Sequence, residues 1–128
     1  RRVLRKALDD EVRLVVTVQN IAEFWNVATR PLDKNGHGLS TERVKRRIAI
    51  VERLCEVASE DSGSYAEWKR IVEEVGATGV SVHDARLVSV MLRMGIKEIL
   101  TLNERDFHRY QGEGIDVLTP QTFLGTAT

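Results

Sequence analysis

An α/β fold, a three-layer sandwich with helices flanking a mostly parallel sheet, is what this sequence predicts. Three observations predict it. Short β-branched or apolar runs stand at 13–18 (RLVVTV), 97–102 (KEILTL) and 115–118 (IDVL). The stretches between them carry apolar residues at helical spacing. Strands that alternate with helices are joined by crossovers, which makes neighbouring strands parallel. The first run is apolar almost throughout, as suits an interior strand covered on both faces. With 128 residues, 42% of them hydrophobic, residues 1–128 are expected to form one domain around a real core.

The elements follow in order. The chain opens in a helical pattern, with Val3, Leu4, Ala7 and Leu8 on one face, and Asp9, Asp10 and Glu11 form an acidic turn. After the first strand, Asn20 is a good N-cap for a helix over 21–29, which Pro31 stops. A loop over 32–39 carries Asn35-Gly36 and Gly38. Ser40 or Thr41 caps the longest helix, 41–58, with Val44, Ile48, Val51, Cys55 and Ala58 as its apolar stripe. Ser64-x-x-Glu67 reads as a capping box opening a helix that buries Tyr65, Trp68, Val72 and Val75 and stops at Gly76. Ser81 caps the next helix, which runs to Met94 and Gly95. The second strand, a polar turn over 103–106, the third strand and a tail from Pro120 complete the chain.

Composition excludes several functions. Lys and Arg number 19, as do Asp and Glu, so the formal net charge is zero. That argues against a nucleic-acid binder working by bulk positive charge, and leaves local patches open. A single cysteine, Cys55, cannot make an internal disulfide, and His37, His83 and His108 do not complete a thiolate zinc site. No apolar run approaches the ~20 residues of a membrane helix, and Arg1-Arg2 leads straight into an amphipathic pattern. A soluble cytoplasmic domain with no membrane partner is expected.

Ligands of open parallel sheets bind at the carboxyl ends of the strands. Three acids fall on segments that converge there: Glu23 in the helix after the first strand, Asp106 four residues beyond the second, and Asp84 near the start of the helix that feeds the second. Glu23 stands among Ile21, Ala22, Phe24, Trp25 and Val27, an apolar setting in which an unpartnered carboxylate is costly. Asp84 follows Val82 and precedes Ala85, Leu87 and Val88. Hard cations such as Mg²⁺ or Mn²⁺ take carboxylate oxygens and can activate water against a phosphodiester. The blander roles are a helix-terminus charge for Asp84, a solvated face for Glu23 and a turn former for Asp106.

Three segments, QNIAEFWNVATRP at 19–31, VHDARLVSVMLRMGIKEILTLNERDF at 82–107 and IDVLTP at 115–120, resemble the PIN-domain nuclease family, and within it the VapC-like toxin branch. The second segment is the specific one: HDA, a helix, a glycine, a strand and N-x-x-D-F at the family's spacing. The resemblance implies a PIN-like parallel sheet flanked by helices and a Mg²⁺- or Mn²⁺-dependent endoribonuclease. It implies an acidic, metal-binding catalytic pocket of Glu23, Asp84 and Asp106, with Asn20, Thr101 and Asn103 as supporting polar residues. RNA as substrate, an antitoxin protein as partner and a homodimer are further implications. The family also begins with a strand ending in a metal-binding aspartate. Nothing before Arg13 has that form, and Asp9 and Asp10 follow a helix, so the role is not carried onto them. The expectation is a domain shortened at its N-terminus by that first strand.

Other residues divide between two readings. Arg43, Lys45, Arg46 and Arg47 make a solvated helix face, or a flank that contacts RNA phosphates beside the acidic pocket. Arg86 has the same two readings. Tyr65 and Trp68 are core before they are a base-stacking platform. His83 reads as a capping or supporting residue, and Cys55 as a buried thiol. The missing aspartate motivates an alternative function, a catalytically inactive PIN-like module that binds RNA or a protein partner.

Overall fold

Thr17 ends the first strand because it also caps the helix that follows. In the computed structural model, which describes residues 2–125, the order is α1 (Arg2–Asp9), β1 (Val15–Thr17), α2 (Val18–Thr29), a 3-10 turn (Leu32–Lys34), α3 (Thr41–Leu54), β2 (Glu56–Ala58), α4 (Ser64–Val75), α5 (Ser81–Met94), β3 (Glu98–Leu100), α6 (Glu104–Phe107), a 3-10 segment (His108–Glu113), β4 (Asp116–Leu118) and α7 (Pro120–Gly125). The chain divides into two units. One holds the described residues of Arg1–Glu11 and Glu60–Thr128; the other is Val12–Ser59.

The α/β class and the parallel pairing hold, in a more broken form than a continuous sheet. β1 pairs with β2 in the register Val15↔Glu56, Val16↔Val57 and Thr17↔Ala58. β3 pairs with β4 in the register Glu98↔Asp116, Ile99↔Val117 and Leu100↔Leu118. Among the described residues the strands form these two separate pairs. β1, β3 and β4 are each shorter than the apolar run that predicts them, since a strand persists only where a neighbour's backbone meets it.

In the unit Val12–Ser59, the helix begins three residues earlier than Asn20 predicts. Thr17 is the N-cap: its hydroxyl accepts from the Asn20 N–H at 3.1 Å, while Asn20 Oδ1 accepts from the Thr17 N–H at 2.9 Å. This reciprocal box satisfies two backbone donors at once, so it outcompetes a later start. Pro31 bars Arg30 from helical geometry, and Arg30 turns out at ψ 144°. The loop then folds back so that Gly38 N–H and Leu39 N–H reach the carbonyls of Arg30 and Ala28, both at 2.8 Å. Gly36 lies against Arg30, where a Cβ would collide with the Arg30 carbonyl oxygen.

Ser40 caps α3 through the Arg43 N–H at 3.3 Å. The helix stops at Leu54, four residues short of the predicted end, and Cys55 is extended. The predicted stripe therefore breaks after Val51, because residues 56–58 pair with β1 instead. The Glu56 N–H donates to the Leu14 carbonyl at 2.9 Å, and Arg13 grips the Glu56 carboxylate at 2.6 Å.

The other unit is built on α4 and α5. Its core comprises Ile71, Ala85, Val88, Met91, Ile99, Phe107, Tyr110 and Ile115, flanked by Trp68, Val72 and Val75. Gly76 and Gly95 end the two helices in the left-handed region, at φ 65° and 70°. Neither serine is the cap that its position predicts. Ser64 and Ser81 are each the first helical residue, with Gly63 and Val80 before them. Their hydroxyls instead accept from Asp61 N–H (2.9 Å) and Thr78 N–H (2.8 Å). The predicted turn over 103–106 is largely α6, and the tail from Pro120 is α7. The Lys6 ammonium of α1 sits 4.2 Å above the Phe123 ring of α7.

Candidate functional site

Asp84 and Asp106 both belong to the α4–α5 unit, and one buried side chain links their segments. Asp84 is half-buried in the first turn of α5, where a carboxylate complements the helix N-terminus. Asp106 is exposed on α6, its N–H donating to the Asn103 carbonyl at 3.1 Å. The next residue, Phe107, is buried and lies with its ring 6.0 Å from that of Tyr110. Tyr110 is fully buried, and its hydroxyl donates to the Ser81 carbonyl at 3.3 Å. Thus the segment after Asp106 is pinned to the first residue of the helix that carries Asp84.

The same tyrosine feels the charge of Asp84. Burial, and then the Asp84 carboxylate, push the Tyr110 phenol above the ordinary tyrosine range, against an opposing pull from Arg109. Tyr110 stays neutral and donating at physiological pH. Its role was not foreseen from the sequence; the signal was the Phe107-x-x-Tyr110 spacing, which places two rings on one helical face.

The supporting residues are local braces. Thr101 Oγ1 accepts from the Asn103 N–H at 3.0 Å, which shapes the turn between β3 and α6. In the other unit, Asn20 spends its side-chain oxygen on the α2 cap, accepting from both Thr17 N–H (2.9 Å) and Thr17 Oγ1 (3.1 Å). Glu23 is exposed on α2, and its carboxylate accepts from Gln19 Nε2 at 3.3 Å. The apolar setting read around Glu23 is therefore corrected: Ala22 and Phe24 are exposed with it. Successive helical side chains point about 100° apart, so sequence neighbours do not define an environment.

Arg43, Lys45, Arg46 and Arg47 are exposed on α3. Lys45 makes a 3.5 Å pair with Glu42. Arg86 is different, for it is ion-paired to Glu60. Near it, α4 and α5 enclose a cleft of about 340 Å³ lined by Glu60, Tyr65, Trp68, His83 and Arg86 among others.

Glu23, Asp84 and Asp106 offer the hard oxygen donors that Mg²⁺ or Mn²⁺ prefers. In donor chemistry they fit such an ion. Among the described residues, no group of three or more His, Cys, Asp or Glu side chains is gathered so as to hold a metal ion. Cys55 adds no ligand, since burial pushes its thiol pKa up and disfavours the thiolate. Among the described residues no helix is long and apolar enough to cross a membrane.

Comparison with known proteins gives one result that spans most of the chain. The family model of the PIN domain matches residues 1–113, a stretch that includes Glu23, Asp84 and Asp106. No curated protein matches the chain.

Proposed function

Since this chain belongs to the PIN domain family, whose members are generally nucleases, we propose that it is a metal-dependent endoribonuclease, the toxin component of a toxin–antitoxin pair. The family match across all three candidate acids carries this reading. In it, Glu23, Asp84 and Asp106 are the acids that would supply carboxylate oxygens to a Mg²⁺ or Mn²⁺ ion. Such an ion, when bound, lowers the pKa of water and offsets the charge that develops on a phosphodiester. The chain's own contribution is positional. Tyr110 holds the Asp106 segment against the start of α5, and Thr101 and Asn103 fix the turn that precedes it. The exposed arginines of α3 supply attraction for RNA phosphates. A cytoplasmic homodimer restrained by an antitoxin protein completes the proposal.

The test is cleavage of single-stranded RNA with Mg²⁺ or Mn²⁺ present, with EDTA and Asp84→Asn as controls. Loss of cleavage in both controls supports the mechanism; cleavage that persists in both removes it. A second reading is an inactive module that binds RNA or a protein partner. Calorimetric titration with Mn²⁺ separates the two, because a chain with too few ligands takes up no stoichiometric ion.

A further inference from the structure

The cleft between α4 and α5 has features that the nuclease reading leaves unused. Tyr65 is 69% exposed, unusual for a ring on a helix that packs against the core. It lies 6.1 Å from Trp68, the two planes tilted by 35°. Trp68 is fixed from beneath, since its indole N–H donates to the Val82 carbonyl at 2.8 Å. One ring is therefore held and the other is presented. The loop that forms the rim is also prebuilt. Arg93 holds Asp61 through its Nε (3.0 Å) and Nη2 (3.1 Å), and Asp61 in turn accepts from the Gly63 N–H at 2.9 Å. Gly63 lies against the Arg93 guanidinium, so a Cβ there would displace the tip of that side chain.

The polar groups at the rim pair an acceptor with a donor. Arg86 Nε donates to Glu60 Oε1. A carboxylate has about four lone-pair directions, more than one such bond uses. It remains an acceptor for N–H groups brought into the cleft. Among the four RNA bases, guanine alone places two adjacent donors, N1–H and the exocyclic amine, on its Watson–Crick edge, the match for a carboxylate. At about 340 Å³ the space is within the ordinary range for a small-molecule site.

We propose that this cleft is a nucleobase subsite that receives an unpaired guanine of the RNA, stacked on Tyr65 and read by Glu60. The proposal rests on the ribonuclease reading for the identity of its ligand, but not for its test. Titrate the intact chain in EDTA with GMP, AMP, CMP and UMP, following heat release and tryptophan fluorescence. Saturable binding of GMP in preference to the other three is expected. Tyr65→Ala, an exposed substitution, is expected to weaken GMP about 5- to 150-fold, the value of one stacking interaction. Glu60→Gln is expected to abolish the preference for guanine. Equal response to all four nucleotides, no saturable response, or unchanged GMP affinity in Tyr65→Ala overturns the proposal. So does a change of oligomeric state in Tyr65→Ala without any nucleotide response, which marks a protein interface instead. RNA cleavage without nucleotide binding sinks the subsite alone; nucleotide binding without cleavage sinks the nuclease reading alone.

Discussion

Replacing Tyr110 with phenylalanine removes one oxygen and tests the brace between the two acid-bearing segments. The ring is fully buried and keeps its place against Phe107, so no cavity forms. What disappears is the hydroxyl bond to the Ser81 carbonyl, which at 3.3 Å is at the long end of its kind. A net cost near the low end of the usual range, about 0.5–1 kcal/mol, follows. Tyr110→Ala, by contrast, removes a whole ring and is expected to cost ~3–5 kcal/mol, a large part of a small domain's total stability.

The pH dependence identifies the cause. The phenol's pKa is raised in the folded state, by burial first and then by Asp84. Between the ordinary value of 10.0 and the raised one, the unfolded chain has lost this proton while the folded chain keeps it. Stability from this group is therefore complete below about pH 10 and declines as pH rises toward the folded value. Phenylalanine has no proton to lose. Urea unfolding of the two proteins, from neutral pH to above pH 10, should show the wild type ahead at first and its advantage shrinking with alkalinity. RNA cleavage per folded molecule should fall about two- to fivefold if the missing bond is felt in the transition state. A stability gap that is zero at neutral pH refutes the brace, and one that stays constant across the alkaline range refutes the raised phenol pKa.

Arg70 binds three carboxylates, Glu67 (2.6 Å), Glu74 (2.9 Å) and Glu113 (2.8 Å), and the last crosses from α4 to the 3-10 segment. Arg70→Met should cost about 1–2 kcal/mol in chemical denaturation, mostly through Glu113, whose side chain is only 18% exposed. Arg70 holds the Glu113 carboxyl below its ordinary range, so this contribution is full above about pH 4.5 and lost as pH falls through the lowered value; the variant should show less acid sensitivity. Thr17→Ala removes the α2 cap and should cost about 1 kcal/mol, read as a lower denaturation midpoint with an unchanged slope. Exchanging Arg43, Arg46 and Arg47 for Gln should weaken RNA binding alike for all sequences. Its salt slope should fall by ~0.7 for each phosphate no longer neutralised, measured by filter binding across salt concentrations.

How far the fold was legible depended on whether the deciding partner lay nearby. β1 was readable because Val15 and Val16 favour an extended backbone by themselves. β2 was not, because Val51, Cys55 and Ala58 continue a helical stripe, and only the backbone of β1 pulls residues 56–58 out of it. Ser64 and Ser81 look like N-caps, yet each turns its hydroxyl back to the N–H three residues earlier, a choice that sequence cannot separate from capping. The candidate acids were legible as a pattern. Their surroundings were not, since Glu23 shares a sequence window with apolar residues but not their environment. Tyr110 and the pair Arg70–Glu113 escaped notice for the same reason as β2, their partners being 29 and 43 residues away.

Balanced charge hides a similar dependence on partners. On α4 and α5 the arginines are spent internally: Arg70 on Glu67, Glu74 and Glu113, Arg86 on Glu60, Arg93 on Asp61. On α3, Arg43, Arg46 and Arg47 enter no salt bridge among the described residues. A paired guanidinium adds little to the field that draws a polyanion, because its carboxylate cancels it within a Debye length. Unpaired ones on a single helix add fully. The zero total thus conceals two different surfaces. One is fit to draw phosphates by charge; the other, with its acceptors and exposed ring, is fit to read a base.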